Sequence, residues 1–462
     1  MPIVFSSRSV RAQPIVAVEE VFDFYISPTG TGSAASGGSI GDPWSITMIN
    51  NATARTRYAG KKVGMMDGTY GLITLMGQPS TTGGASQRGR LRLAGGSVGS
   101  PTILKSVNVR QAVIDWERSL QSNNSMESSI EPGGDYVTFD GIVFDNNNYQ
   151  CIVNNPGGGS GYDFMTVKNC LFRNQSFEFV PSAGQNSAHV YSQGGSHILI
   201  TNCRFEGGNA INDLNRHNNI MFYTPTVDGV IEYCTFISEV LGTDVIHWKQ
   251  QGATDSTVRY CYIDRSAVTQ TSQSGYCFKF EGVTDAADTA SVYGNVIISG
   301  GSTARSLFHA EPGTAGTYDF HNNTLIGPWT TDGGISSIYS RACTQFNCDN
   351  NIFHRVSGTG GTYGDVNVYT IGTIGTMDYN YYSSAPKITV GNLTNTYTTL
   401  ASWRAASSRD ANAGSGSDPL FVGSGSEASF YKLQGGSPCK TLGAGGTEIG
   451  AWAGQSAIGS NF

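Results

Sequence analysis

One six-residue phrase returns nine times along the chain and limits what it can fold into more than any other feature. Four copies carry cysteine in the fourth place: Val167-Lys-Asn-Cys-Leu-Phe172, Ile200-Thr-Asn-Cys-Arg-Phe205, Ile231-Glu-Tyr-Cys-Thr-Phe236 and Val258-Arg-Tyr-Cys-Tyr-Ile263. Four carry asparagine there: Val292-Tyr-Gly-Asn-Val-Ile297, Phe320-His-Asn-Asn-Thr-Leu325, Cys348-Asp-Asn-Asn-Ile-Phe353 and Met377-Asp-Tyr-Asn-Tyr-Tyr382. An earlier copy, Phe139-Asp-Gly-Ile-Val-Phe144, has isoleucine. The copies close at residues 144, 172, 205, 236, 263, 297, 325, 353 and 382, so the steps are 28, 33, 31, 27, 34, 28, 28 and 29 residues. A repeat of this length defines a solenoid or an array.

The content of each repeat selects the kind of solenoid. Short alternating apolar segments are separated by Gly, Asn, Asp and Thr, and no amphipathic helix of useful length lies between them. That disfavours leucine-rich, ankyrin and tetratricopeptide arrays. The phrase has period two, so it reads as strand. Stacking each turn ~4.8 Å above the last brings equivalent side chains into columns. The four Cys and four Asn then form one buried column inside a parallel β-helix, the cysteines as small hydrophobes and the asparagines as hydrogen-bonded amides. Reduced, structural cysteines are expected, because equivalent Cβ atoms at strand spacing lie beyond comfortable disulfide geometry. Glycine supplies 60 of the 462 residues, well above the usual ~7%. Pairs such as Gly194-Gly195, Gly207-Gly208, Gly300-Gly301 and Gly333-Gly334 place it at corners between strands.

The segments flanking the repeats sharpen this reading. Phe24-Tyr-Ile-Ser-Pro-Thr-Gly-Thr-Gly32, Asp42-Pro-Trp-Ser-Ile46 and Val63-Gly-Met-Met-Asp-Gly-Thr-Tyr70 resemble the opening segment of right-handed β-helix proteins of the pectate-lyase-like superfamily. Ser402-Trp-Arg-Ala, Asp410-Ala-Asn, Asp418-Pro-Leu-Phe421 and Tyr431-Lys-Leu-Gln-Gly-Gly-Ser-Pro438 resemble its closing segment. The resemblance spans roughly residues 22 to 452. It implies an all-β, right-handed parallel β-helix solenoid of about ten turns. The expected division is an N-terminal arm over 1–22, a cap and first turns over 23–90, the repeats over 91–385 and a C-terminal cap over 386–462.

Solenoids of this kind do their chemistry on outer faces, so the residues that point outward decide function. A second recurring strand gives Val245-Ile-His-Trp-Lys249, Cys277-Phe-Lys-Phe-Glu281, Leu307-Phe-His-Ala-Glu311 and Ile338-Tyr-Ser-Arg-Ala342. With Ile246, Trp248, Phe278, Phe280 and Phe308 inward, one outward column reads His247, Lys279, His309 and Ser340. A second reads Lys249, Glu281, Glu311 and Ala342. This concentration stands out in a chain with only 14% charged residues. Two chemistries can use it, and a surface ion-pair cluster of little energetic weight is the third option. A lyase acting on a uronate polymer needs a base and cations for the carboxylate; Lys249 is the candidate base, Lys279 its cationic neighbour, and His247 or His309 assists. A glycosidase needs two carboxyls, ~5 Å apart for retention or ~6.5–9.5 Å for inversion, and Glu281 and Glu311 are the candidates. His309, Arg341, Asp244 and Tyr223 are the expected substrate-binding residues.

Asp244-Val-Ile-His-Trp-Lys249 also resembles the acidic-Ile-Ile-x-x-Lys strand of the lyase family containing chondroitinase B and alginate lyases. That resemblance implies Lys249 as base. Phe280-Glu281-Gly282 stands where the family has Arg-His-Gly, so another residue must act as acid. Asp140, Asp145 and Asn146 to Asn148 offer calcium ligands, but Asx residues cap turns far more often, and no cofactor is required. His354-Arg355 reads as ordinary surface.

A net charge of −7 argues against nucleic acid or anionic lipid as partner. No apolar stretch is long enough to span a membrane. The N-terminus lacks the pattern of a secretory signal. The expected function is a carbohydrate-directed, tailspike-like bacteriophage virion protein that binds and can depolymerise bacterial surface polysaccharide. It would be a homotrimer attached to other virion proteins through its N-terminal arm. The alternatives are a free polysaccharide lyase released by a non-classical route and a non-catalytic virion decoration.

Overall fold

The computed structural model describes residues 20–76, 90–117, 129–147, 150–154, 161–174, 176–177, 187–207, 209–210, 217–224, 226–238, 244–249, 255–268, 275–281, 287–299, 307–310, 315–327, 338–340, 343–356, 364–391 and 394–461. Three long sheets, each of twelve strands, wrap one core. The first runs from Phe24–Ile26 to Ile374–Asp378, and the second from Gly68–Gly71 to Gly414–Ser415. The third runs from Arg90–Ala94 to Ile388–Val390 and ends on an antiparallel strand, Asn395–Tyr397. Every other pairing in the three sheets is parallel, as expected for a right-handed parallel β-helix of the pectate-lyase-like type. The strand count exceeds the expected ten turns because cap segments such as Phe24–Ile26 and Gly414–Ser415 add their own strands to the stack.

The repeated phrase is the corner between the first and second sheets. Its third residue is left-handed in every turn: Gly141, Asn169, Asn202, Tyr233, Tyr260, Gly294, Asn322, Asn350 and Tyr379 have φ of 49 to 68°. Glycine is therefore one of three residues used at this corner. Asn serves four of these nine corners and tolerates the conformation through local hydrogen bonds. At Gly294 the absence of a side chain is required, since a Cβ would lie 2.6 Å from the Tyr260 ring. Gly194, Gly195 and Gly207 do have positive φ, whereas Gly208, Gly300, Gly301, Gly333 and Gly334 lie outside the described residues.

The fourth residue of the phrase points inward. All nine cysteines are free and buried. Cys170, Cys203, Cys234 and Cys261 each direct Sγ at the carbonyl two residues back, 3.2 to 3.4 Å away. The asparagines form a ladder: Asn295 Nδ2 donates to Asn323 Oδ1 (3.0 Å), Asn323 to Asn351 (3.2 Å) and Asn351 to Asn380 (3.2 Å). Each Nδ2 also donates to a backbone carbonyl, of Val258, Val292, Phe320 and Cys348 in turn. The last amide still needs an acceptor, and Asp410 Oδ1 supplies it at 3.0 Å. On the second sheet Phe144, Phe172, Phe205 and Phe236 stack at 4.7 to 4.8 Å between ring centres.

Both ends are closed. At the N-terminus the helix Ala52–Tyr58, capped by the Asn51 side chain, buries Ala54 and Tyr58. At the C-terminus the helix Leu400–Ser407 buries Trp403, whose Nε1 donates to Asp410. The last segment then doubles back over the outside of the second sheet. Gly450, Ala451 and Ser460 donate backbone N–H bonds to Asn350 O, Thr324 Oγ1 and Thr235 Oγ1. The pair His354-Arg355 departs from the surface role expected of it. Arg355 forms a bidentate ion pair with buried Asp365, both contacts 2.7 Å, because Asp365 opens the neighbouring third-sheet strand.

Candidate functional site

The third sheet carries the candidate groups. Its inward column is Ile152, Val190, Ile220, Ile246, Phe278, Phe308, Ile338, Val366 and Ile388. One residue further on, facing out, stand Val153, Tyr191, Met221, His247, Lys279, His309, Asn367 and Thr389. Ser340, expected in this outward column, instead pairs with Ala310 and is buried. The strand is offset by one residue because Ile338, not Tyr339, continues the apolar column under Phe308.

The outer face changes character along the axis. Val153, Ala188, Tyr191 and Met221 form a small apolar cluster with half-buried Tyr223 packed against it. Tyr223 follows Phe222, the partner of Trp248, which puts it one turn before Lys249. The charged groups come next and converge on Glu281. Lys279 Nζ lies 2.5 Å and His247 Nε2 3.1 Å from Glu281 Oε2, and Lys249 Nζ is 3.6 Å from Oε1. On its other side the His247 ring places Nδ1 3.2 Å from Asn218 Oδ1 and 3.6 Å from Asp244 Oδ2. Asp244 Oδ1 accepts the backbone N–H groups of Gly275 (3.0 Å) and Tyr276 (2.9 Å). The Tyr276 ring stacks on His309 at 4.1 Å and lies 5.8 Å from Lys279 Nζ.

The expected site residues Lys249, Lys279, Glu281, His247 and Asp244 are thus brought together, with His309 joined through Tyr276. Glu311 and Arg341 lie outside the described residues. The cluster is not the open groove wall anticipated from alternation. The side chains of His247 and Lys279 are 1% and 4% exposed, against 16% for Lys249 and 22% for Glu281. Alternation decides which way a side chain points but not what covers it. Tyr276 is the contributor that sequence reasoning missed, whereas Arg216-His217-Asn218 reads from the sequence as a segment that rims a groove or is solvated. Asn218 had a signal, since it occupies the Asp244 position one turn earlier.

Burial and charge set the protonation states. Burial works against ionised Asp244, but Lys279, His247 and the two N–H bonds outweigh it and hold the carboxyl below its ordinary range. Burial likewise opposes ionised Glu281, and the hydrogen bonds from His247 and Lys279 override it, so this carboxyl is held far down. For His247 burial wins over the pull of Glu281 and Asp244, which keeps the imidazole below its usual value and neutral near pH 7.

The calcium candidates are spent on other contacts. Asp140 faces Lys105 and Lys168 at 3.5 and 3.4 Å and accepts from Asn169, while Asp145 binds Arg173 and Asn174. Asn148 lies outside the described residues. Among the described residues no group of three or more His, Cys, Asp or Glu is placed to hold a metal ion, and no helix is long and apolar enough to cross a membrane.

Sheet topology, asparagine ladder and capped ends define the class: a right-handed parallel β-helix of the pectate-lyase-like type. The solved structures it is similar to include pectate lyase Pel9A, at TM-score 0.54 and 16% identity over 93% of this chain and 96% of that one. A rhamnogalacturonan lyase is similar at TM-score 0.44 and 12% identity, over 73% of this chain and 84% of that one. The polysaccharide lyase Pedsa3628 of Pseudopedobacter saltans is similar at TM-score 0.35 and 14% identity, over 87% and 94%. At these identities the likeness establishes fold alone. No protein-family model and no curated protein sequence matches the chain.

Proposed function

We propose that the protein is a carbohydrate-directed β-helix that binds an acidic polysaccharide on the outer face of its third sheet and cleaves it by β-elimination. The carrying observation is the protonation pattern around Glu281. A glycosidase needs one carboxyl kept protonated as general acid, and both described carboxyls of this cluster, Glu281 and Asp244, are held ionised instead. A lyase needs an amine or imidazole base and a cationic environment for the charge that builds on the uronate carboxyl. Lys249, half-buried beside Glu281, is the base in this reading. Glu281 orients it while binding Lys279 and His247 behind it. The similar solved structure of pectate lyase Pel9A is that of a lyase, which points the same way.

β-Elimination leaves a carbon–carbon double bond conjugated to the carboxylate, which absorbs in the ultraviolet; hydrolysis leaves reducing ends without it. Wild-type protein incubated with uronate polymers is expected to generate the absorbing product. Lys249→Ala should lose about 100-fold or more of that rate. Reducing ends without absorbance, or an undiminished Lys249→Ala rate, would overturn the assignment.

For the biological setting we propose a tailspike-like homotrimer on a bacteriophage particle, attached to other virion proteins through residues 1–22. The support is the pairing of this solenoid with a saccharide-directed face. A monomeric mass in solution together with no phage tail genes beside its own gene would remove it.

A further inference from the structure

A cavity lies where the returning C-terminal segment crosses the second sheet, away from the third sheet that carries Glu281. It has a volume of about 280 Å³ and is lined by Lys432, Leu433, Lys440, Glu448, Trp452 and Gln455, with Gly454 at its edge. Its walls are fixed to the scaffold. Trp452 packs with Tyr262, Val296, Ile298 and Ile326 of the second sheet, and its Nε1 donates to Ala428 O at 3.1 Å. Leu433 packs with Ile352 and Tyr381.

The chemistry of the lining is unequal in charge. Lys440 is paired with Glu448. Lys432 has no carboxylate within ion-pair reach among the described residues; its Nζ instead lies 4.3 Å from the centre of the Trp452 ring. In a chain of net charge −7 the cavity therefore carries one uncompensated cation above an indole. Beside it stand a lysine–glutamate pair and a glutamine amide, which offer both donors and acceptors. The volume falls just under the usual span of about 300–1,000 Å³ for small-molecule sites, which suits one ring and not an extended polymer. No arginine lines it, so the planar fork that favours phosphate is missing from these residues.

We propose that this cavity is a second, non-catalytic saccharide site that takes a single uronic acid unit. The carboxylate would pair with Lys432, which Trp452 holds from beneath, with hydroxyls meeting Glu448, Lys440 and Gln455. Such a site would tether a polymer on a face distinct from the third sheet. The proposal does not depend on cleavage occurring there.

Sodium D-galacturonate and D-galactose differ at the carboxylate, so titrating each into the full-length protein by calorimetry or NMR tests the point. Galacturonate is expected to bind at least tenfold more tightly than galactose. Lys432→Glu should lower its affinity at least tenfold while leaving the melting temperature unchanged, as befits an exposed side chain. Lys249→Ala should leave it intact. Equal binding of the two sugars, equal binding of inorganic phosphate, no binding of galacturonate, or an unaffected Lys432→Glu variant would each overturn the proposal. Binding lost in Lys249→Ala but kept in Lys432→Glu would place the saccharide on the third sheet, sinking the second site while leaving the lyase reading standing.

Discussion

At the scale of single residues, Asp410 shows how one side chain closes a repeating pattern. It receives Asn380 Nδ2, Tyr382 OH and Trp403 Nε1 at 3.0, 3.0 and 3.2 Å, yet burial still pushes its carboxyl up to about 7. A carboxyl raised in the folded state favours folding while protonated. Its contribution is full below the unfolded value near 3.8 and is lost as pH rises through about 7. The shift corresponds to at most about 4 kcal/mol. Asp410→Asn removes the titration and keeps a side chain that tolerates the φ of 52° found there. Melting curves from pH 4 to 8 should therefore slope downward for the wild type and be flatter for Asp410→Asn. Equal slopes would show that the carboxyl does not titrate in this window. None of this was legible beforehand: Asp410-Ala-Asn marked the closing segment, but nothing in the repeat announced that an aspartate would terminate the amide column. The Glu281 cluster was more readable, because strict alternation placed His247, Lys249, Lys279 and Glu281 on one face. Their burial was not, since alternation carries no information on flanking segments.

At the scale of the repeated element, the Cys/Asn slot was read as one inward column, and the structure agrees because stacking forces equivalent positions into line. The two halves nevertheless work differently. A cysteine directs its thiol at backbone carbonyls, of its own turn and more distantly of the turn before, whereas each asparagine also binds the side chains of its neighbours in the ladder. Asn323 accepts both the backbone N–H and Nδ2 of Asn295 and donates to Val292 O and Asn351 Oδ1. Asn323→Ala would leave those buried partners unpaired, at about 1–3 kcal/mol for each group left unsatisfied. Asn323→Cys should cost less, since a thiol fills the slot and can donate to a carbonyl as Cys261 does two turns away. Denaturant unfolding should rank wild type above Asn323→Cys and that above Asn323→Ala. The reverse order of the two variants would mean that volume, not hydrogen bonding, governs the slot. The corner residue just before it is glycine only at Gly141 and Gly294. Elsewhere the left-handed turn uses asparagine and tyrosine.

At the scale of the whole molecule, a solenoid has contacts only between successive turns, so its halves are free to melt separately. The returning C-terminal segment breaks that rule. Ser460 reaches Thr235 and Asn461 reaches Asn202, contacts spanning 225 and 259 residues of sequence. Ala451, Trp452 and Ile458 cover Tyr262, Val296 and Ile326. This strap had no sequence signature, because it is held largely through backbone N–H groups and small residues that carry no period. Deleting residues 447–462 would uncover that apolar face at roughly 25 cal/mol per Å² and remove the cross-turn bonds. Calorimetry of the truncated chain should then show the turns after residue 235 melting earlier than, and separately from, those before it. Limited proteolysis should cut the C-terminal half first. A single transition at the wild-type temperature would show instead that the stacked turns carry their cooperativity without the strap, through the ladder and core alone.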